Sequence, residues 1–137
     1  MSEFKSKIKY LAEKYQLQLV YAFGSRAKEA LNIMEGKKYK VIEPKSDLDI
    51  GIKAKRPLEI NKKVDVAIYL EDLFDMPAVD VISIPEAPVF LSLEIVQGEL
   101  LYADNEIHEA EYQLYIMRQA AELMHYERQK KAMVLGI

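Results

Sequence analysis

Asp47 and Asp49 stand either side of a leucine in KSDLDIGIKA, where Leu48, Ile50 and Ile52 alternate with the period of a strand that buries one face. On such a strand the two carboxylates share the opposite face. A third aspartate from a neighbouring strand would complete an all-oxygen donor set suited to a hard divalent cation such as Mg²⁺. Without a cation the clustered carboxylates repel one another, so at least one pKa must rise. Asp80 in AVDVISI is the third candidate, and Asp65, in the other VDV of the chain, competes with it. Upstream, Gly24-Ser25 closes an apolar run and opens a helical stretch. A turn of that kind brings backbone N–H groups, a hydroxyl and a close backbone approach to one place, all of which suit a phosphate. Each feature alone has a plainer reading: a strand-to-helix turn capped by Ser25, and a solvent-facing strand edge. Their succession within one short chain favours the site.

The elements that must position these residues follow from periodicity. Residues 2–15 carry Phe4, Ile8, Leu11 and Ala12 at helical spacing. LQLVYAF, residues 17–23, is a short apolar strand that stops at Gly24, and a helix runs from Arg26 to about Met34. Residues 36–46, with Gly36, Pro44 and four lysines, are expected to form a loop, and SDLDIGIKA a strand. Val64, Ala67, Ile68, Leu70, Leu73 and Phe74 fit a helix ended by Met76-Pro77, with a strand over VDVAIYL as the rival assignment. A strand over 79–84 follows. A short helix opened by Pro88, with Val89, Phe90, Leu93 and Val96 at helical spacing, leads through Gly98 to a short strand, ELLY. One long amphipathic helix then runs from Asp104, as N-cap, to about Met133.

Length and charge bound what such a chain can be. Its 137 residues suit one domain with a single core and leave little room for a separate recognition domain. Half the residues are hydrophobic and 30% are charged, which excludes a disordered or low-complexity polymer. With 22 acidic against 19 basic side chains, the net charge of −3 argues against a generic nucleic-acid grip. There is no cysteine, hence no disulfide, thiolate metal site or cysteine nucleophile. No apolar stretch approaches the ~18 residues needed to span a bilayer, and the first fifteen residues do not read as a secretory signal. A cytoplasmic location is expected.

YAFGSRAKEA, KSDLDIGIKA and AVDVISI together resemble the three motifs of the minimal nucleotidyltransferases, small members of the DNA polymerase β superfamily. The resemblance runs from about Leu17 to Asp104. It implies an α/β fold of the polymerase β palm type, with a small mixed or antiparallel sheet flanked by helices, residues 1–137 forming one domain and 104–133 a helix packed on it. It also implies that Gly24 and Ser25 hold the phosphates of a nucleoside triphosphate, that Asp47 and Asp49 bind two Mg²⁺ ions, and that Asp80 binds the metal nearer the acceptor hydroxyl. The implied reaction moves a nucleoside monophosphate, AMP from ATP for choice, to a hydroxyl. Similar minimal proteins are commonly paired with HEPN-type partners in toxin–antitoxin modules, and some adenylylate a tyrosine of the partner. Two rival functions stay open: a contact module that neutralises a partner with little or no catalysis, and transfer to a small aminoglycoside-like molecule.

Two departures from the family pattern stand out. The stretch from Gly24 to Asp47 is long, and its surplus, residues 34–45, brings Lys37, Lys38, Lys40 and Lys45, either a basic flap over the triphosphate or a solvated insertion. Duplication of VDV leaves Asp65 as rival to Asp80. Arg26, beside the turn, either neutralises triphosphate charge or packs its helix. Glu122 and His125 lie at chelating spacing but make only one pair, and with His108 are expected to be ordinary helix residues. Ile107, Leu114, Met117, Ala121, Met124 and Met133 mark the face of the last helix expected to pack on its own domain, with a partner surface as the alternative. Tyr112, Tyr115 and Tyr126 are candidates for a partner-facing surface.

Overall fold

The computed structural model describes residues 3–37 and 47–136. Its elements run α1 (Glu3–Tyr15), β1 (Leu17–Phe23), α2 (Ala27–Met34), β2 (Leu48–Ala54), α3 (Ile60–Phe74), β3 (Val79–Ser83), α4 (Val89–Val96), β4 (Glu99–Ala103) and α5 (Glu106–Leu135), with 3-10 turns at Gly24–Arg26 and Ile84–Glu86. The strands form one mixed sheet in the order β3-β2-β1-β4. β1 is antiparallel to both of its neighbours, and β2 is parallel to β3. Parallel neighbours need a crossover, and α3 supplies it. That connection decides residues 64–70 for helix. α3 closes with Asp75 in the left-handed region, just before Met76-Pro77.

β1 is apolar on both sides because it lies at the centre of a helix–sheet–helix sandwich. Leu17, Val20 and Ala22 join the cluster under α1, α2 and α3, whereas Leu19, Tyr21 and Phe23 meet Ile84, Ile95, Val96 and Ile116 under α4 and α5. β2 alternates as its sequence predicts, with Leu48, Ile50 and Ile52 in the first cluster. Its other face carries Gly51, where a β-carbon would stand 2.3 Å from Cγ2 of Ile95. The absence of a side chain there lets α4 lie directly on the sheet.

Three helix faces differ from the sequence reading. α3 buries Val66, Leu70 and Phe74 and leaves Val64 and Ile68 exposed. α4 buries Ser92, Ile95 and Val96 and turns Phe90 outward at 47% exposure. Ser92 is satisfied there by donating to the Ile84 carbonyl at 2.9 Å. On α5 the buried positions are Ile116 and Ala120, while Ile107 (71% exposed), Leu114, Met117, Met124 and Met133 (83%) face outward. The cause is geometric. α5 is fastened only along its first half, where Tyr21 Oη donates to Glu109 Oε1 at 2.5 Å and Gln113 Nε2 donates to the Val96 carbonyl at 3.1 Å. Past Ala120 none of the described residues of the helix is buried. Its cap also moves by one residue: Asn105, not Asp104, accepts from the backbone N–H groups of Ile107 and His108 at 2.8 and 3.2 Å. Asp104 sits 3.5 Å from Nδ1 of His108 instead.

Candidate active site

Three adjacent strands deliver the site to one end of the sheet. Phe23, the last residue of β1, is the register partner of Asp49 on β2, and Asp49 is level with Asp80 on β3. Leu48, Ile50, Val79 and Val81 turn toward α1–α3, so by strand parity Asp49 and Asp80 project together from the face that α4 covers farther along. Asp47 is exposed and immediately precedes β2. Asp65 lies on the exposed side of α3, on the opposite face of the sheet, and is separated from this group.

Gly24 leaves β1 with φ +77°, a conformation that side chains resist. A β-carbon on it would come within 2.8 Å of Oδ2 of Asp49. The glycine therefore serves twice, in the sharp turn and in the close approach to the carboxylate. Ser25 lies exposed within the 3-10 turn, one residue before Arg26, which is the N-cap position of α2 and whose own side chain makes no cap bond. Arg26 is turned inward, only 6% exposed, and its Nη1 donates to Glu29 Oε2 at 3.0 Å. That contact with Glu29 is a helix-packing one.

The electrostatics are those of crowded carboxylates. Asp49 has its pKa raised, first by burial and then by the charges of Asp80, Asp47 and Glu94. Glu94 is a residue that the sequence reading missed. It sits with Phe90, Leu93 and Gln97 on the outward face of α4, and these line a groove of about 510 Å³ with Gly24, Lys28 and Glu99. The signal was the 90/94/97 spacing, which was hidden by assigning Phe90 to the core.

The donors at Asp47, Asp49 and Asp80 are chemically right for Mg²⁺, and Gly24 leaves the space beside Asp49 open. Among the described residues, however, no three carboxylate, imidazole or thiol groups are already drawn together as a metal centre. His108, His125 and Glu122 belong to no such group either. Of the four loop lysines, Lys37 pairs with Glu35 at 3.0 Å, and Lys38, Lys40 and Lys45 lie outside the described residues. Also among the described residues, no helix is long and apolar enough to cross a membrane.

The chain is similar in fold to a toxin–antitoxin complex with AMP-PNP (TM-score 0.67, 21% identity, covering 96% of this chain and 98% of that one). It is equally similar to the structure described as a tri-AMPylated Shewanella oneidensis HEPN toxin in complex with MNT antitoxin (TM-score 0.66, 21% identity, 96% of each chain). A third likeness is to the toxin–antitoxin MntA–HepT (TM-score 0.66, 20% identity, 96% of this chain and 97% of that one). None of the curated proteins compared with it matches the chain in sequence. The family model described as polymerase beta, nucleotidyltransferase matches residues 6–107, a span that holds Gly24, Ser25, Asp47, Asp49 and Asp80 and ends as α5 begins. The chain belongs to the polymerase β nucleotidyltransferase family.

Proposed function

We propose that this single-domain chain is a Mg²⁺-dependent nucleotidyltransferase that moves AMP from ATP to a hydroxyl of a partner protein, the acceptor being a tyrosine of a HEPN-type toxin. The observation that carries the reading is the meeting of Gly24, Asp49 and Asp80 at one end of the sheet. The likeness to toxin–antitoxin structures, one with AMP-PNP and one with an AMPylated HEPN toxin, supports the nucleotide and the partner.

The Gly24–Ser25 turn, at the positive end of α2, takes the β- and γ-phosphates. Asp47, Asp49 and Asp80 are the residues that would hold two Mg²⁺ ions, and such ions would supply positive charge to offset that developing on the reacting oxygens. Asp80, on the outer strand of the three, orients the acceptor hydroxyl and draws its proton. The acceptor oxygen then bonds to the α-phosphorus in line with the departing oxygen, the bond from the α-phosphorus to the bridging oxygen breaks, and pyrophosphate leaves with that electron pair. The exposed residues of α5, among them Leu114, Met117, Met124 and Tyr126, offer a surface for the partner.

Incubation with α-labelled ATP, Mg²⁺ and the product of the adjacent gene tests this reading, alongside an Asp47→Asn/Asp49→Asn variant. Label on the partner that vanishes in the variant is the expected result. Tight partner binding with no label from any of the four nucleotides would favour a contact module, and label on a small aminoglycoside alone would favour small-molecule transfer.

A further inference from the structure

α3 carries an apolar row along its outer side. Ile60, Val64 and Ile68 recur every fourth residue, so they stand in line along the helix. Ile60 is 81% exposed, and Val64 and Ile68 are each 51% exposed. The side of α3 that packs on the sheet is a different one, made by Val66, Leu70 and Phe74. Tyr10 of α1, also exposed, lies against Tyr69 with ring centroids 6.3 Å apart and widens the apolar face. Apolar residues scattered singly over a surface are ordinary, but an aligned row of β-branched residues marks a surface that another molecule covers.

The charges beside this row change sign along it. Arg56 and Lys62 are exposed at its start, with Glu59 at the N-cap position, and Lys63 beside them pairs with Glu86 at 2.8 Å. Farther on come Asp65, Glu71 and Asp72, where Lys7, which shares a hollow with Asp72, is held by Glu3 at 3.1 Å. The first turn of α3 contains no acid and its last turn no base, the reverse of what the helix dipole favours. A second α3 laid antiparallel against the first answers both features, because it sets an acidic end on a basic end and opposes the two dipoles. With a twofold axis at Val64, Ile60 of one protomer falls opposite Ile68 of the other, and Lys62 falls beside Asp65. A parallel arrangement instead sets Lys62 on Lys62 and Asp72 on Asp72.

We propose that α3 is a homodimer interface, pairing antiparallel with the α3 of a second copy of this chain. α3 packs on the face of the sheet opposite α4 and α5, so the pairing covers neither the exposed side of α5 nor the groove beside Asp49. A fifteen-residue helix is ~22 Å long, and its face falls short of the ~800 Å² per partner of a standard interface. The dimer is therefore weak and exchanging, with a dissociation constant on the order of 10–100 μM. It is independent of the transfer reaction, and its test needs no nucleotide.

Sedimentation velocity of the full chain, from low micromolar to millimolar concentration, tests the proposal. The expected result is a reversible monomer–dimer equilibrium that Val64→Asp weakens about tenfold or more by setting two carboxylates face to face at the axis. Lys62→Glu and Asp65→Lys should each weaken self-association, and an equimolar mixture of the two should restore it. The native chain has no cysteine, so a short thiol-reactive linker should join two Val64→Cys chains and fail to join two Ile107→Cys chains. A chain that stays monomeric at millimolar concentration, a dimer indifferent to Val64→Asp, or one that is linked through Ile107→Cys instead would each overturn the proposal. A monomeric native chain whose binding to a HEPN-type partner is lost in Val64→Asp would overturn it in favour of an unlike partner on α3.

Discussion

Oδ2 of Asp49 lies 2.8 Å from the point that a β-carbon on Gly24 would occupy. The turn at Gly24 and β2 are thus in contact, and the contact exists only because residue 24 has no side chain. Gly24→Ala must push the carboxylate aside and hold alanine at φ +77°. The expected loss is about 1–3 kcal/mol of stability from strain, together with AMP transfer reduced far more than the melting temperature alone would explain. Transfer at wild-type rate in a folded Gly24→Ala variant would mean that the turn does not work through Asp49.

The raised pKa of Asp49 makes the site costly to the ligand-free fold. A carboxyl whose folded pKa lies above its unfolded value penalises folding while ionised, and the penalty is relieved as pH falls toward the folded pKa. Asp49→Asn should therefore raise the melting temperature of the metal-free protein at neutral pH by a few degrees while abolishing transfer. The gain should shrink as pH is lowered into the carboxylate range. A melting temperature that drops at every pH would show that Asp49 supports the fold instead.

Glu94 contributes to that raised pKa from a different element, α4. Glu94→Gln should move the Asp49 titration, followed by carboxyl NMR in the metal-free protein, back toward the ordinary value near ~3.9. An unchanged midpoint would remove Glu94 from the site.

Gly51 and Gly98 set how closely α4 approaches the sheet. A β-carbon at Gly51 meets Cγ2 of Ile95 at 2.3 Å, whereas one at Gly98 meets the backbone oxygen of Ala22 at 2.4 Å. Ile95 has rotamers with which to yield, and a backbone carbonyl has none. Gly51→Ala should cost about 1–3 kcal/mol by overpacking, and Gly98→Ala more, in chemical denaturation. The reverse order would contradict this docking of α4.

The end of α5 should contribute almost nothing to the stability of the domain. A chain ending at Leu123 removes no buried residue among those described, so its melting temperature should stay within a few degrees of the full chain. Its binding to a HEPN-type partner should weaken if the exposed helix is the partner surface. A large fall in melting temperature would show that the overhang packs on the domain.

The element order and the residues with chemistry were legible in the sequence because their signals are local. Alternation marks β2, an apolar run marks central β1, and Gly-Ser at the end of a strand marks the turn. The helix faces were less legible, since a helix with apolar residues on several sides does not state which side meets the sheet. On α4, Phe90 and Ile95 are equally apolar, and only the space over Gly51 selects Ile95.

By itself the sequence determined that Gly24, Ser25, Asp47, Asp49 and Asp80 would be available on strands and a turn. Tertiary structure placed Asp80, and not Asp65, next to Asp49, because a register between β2 and β3 sets Asp49 beside Asp80 and the crossover carries Asp65 to the other face. It also turned Arg26 inward, brought in Glu94 from α4, and left the described residues in the second half of α5 unburied. These are contacts between residues distant along the chain, and periodicity along one segment carries no information about which distant segment will lie against it.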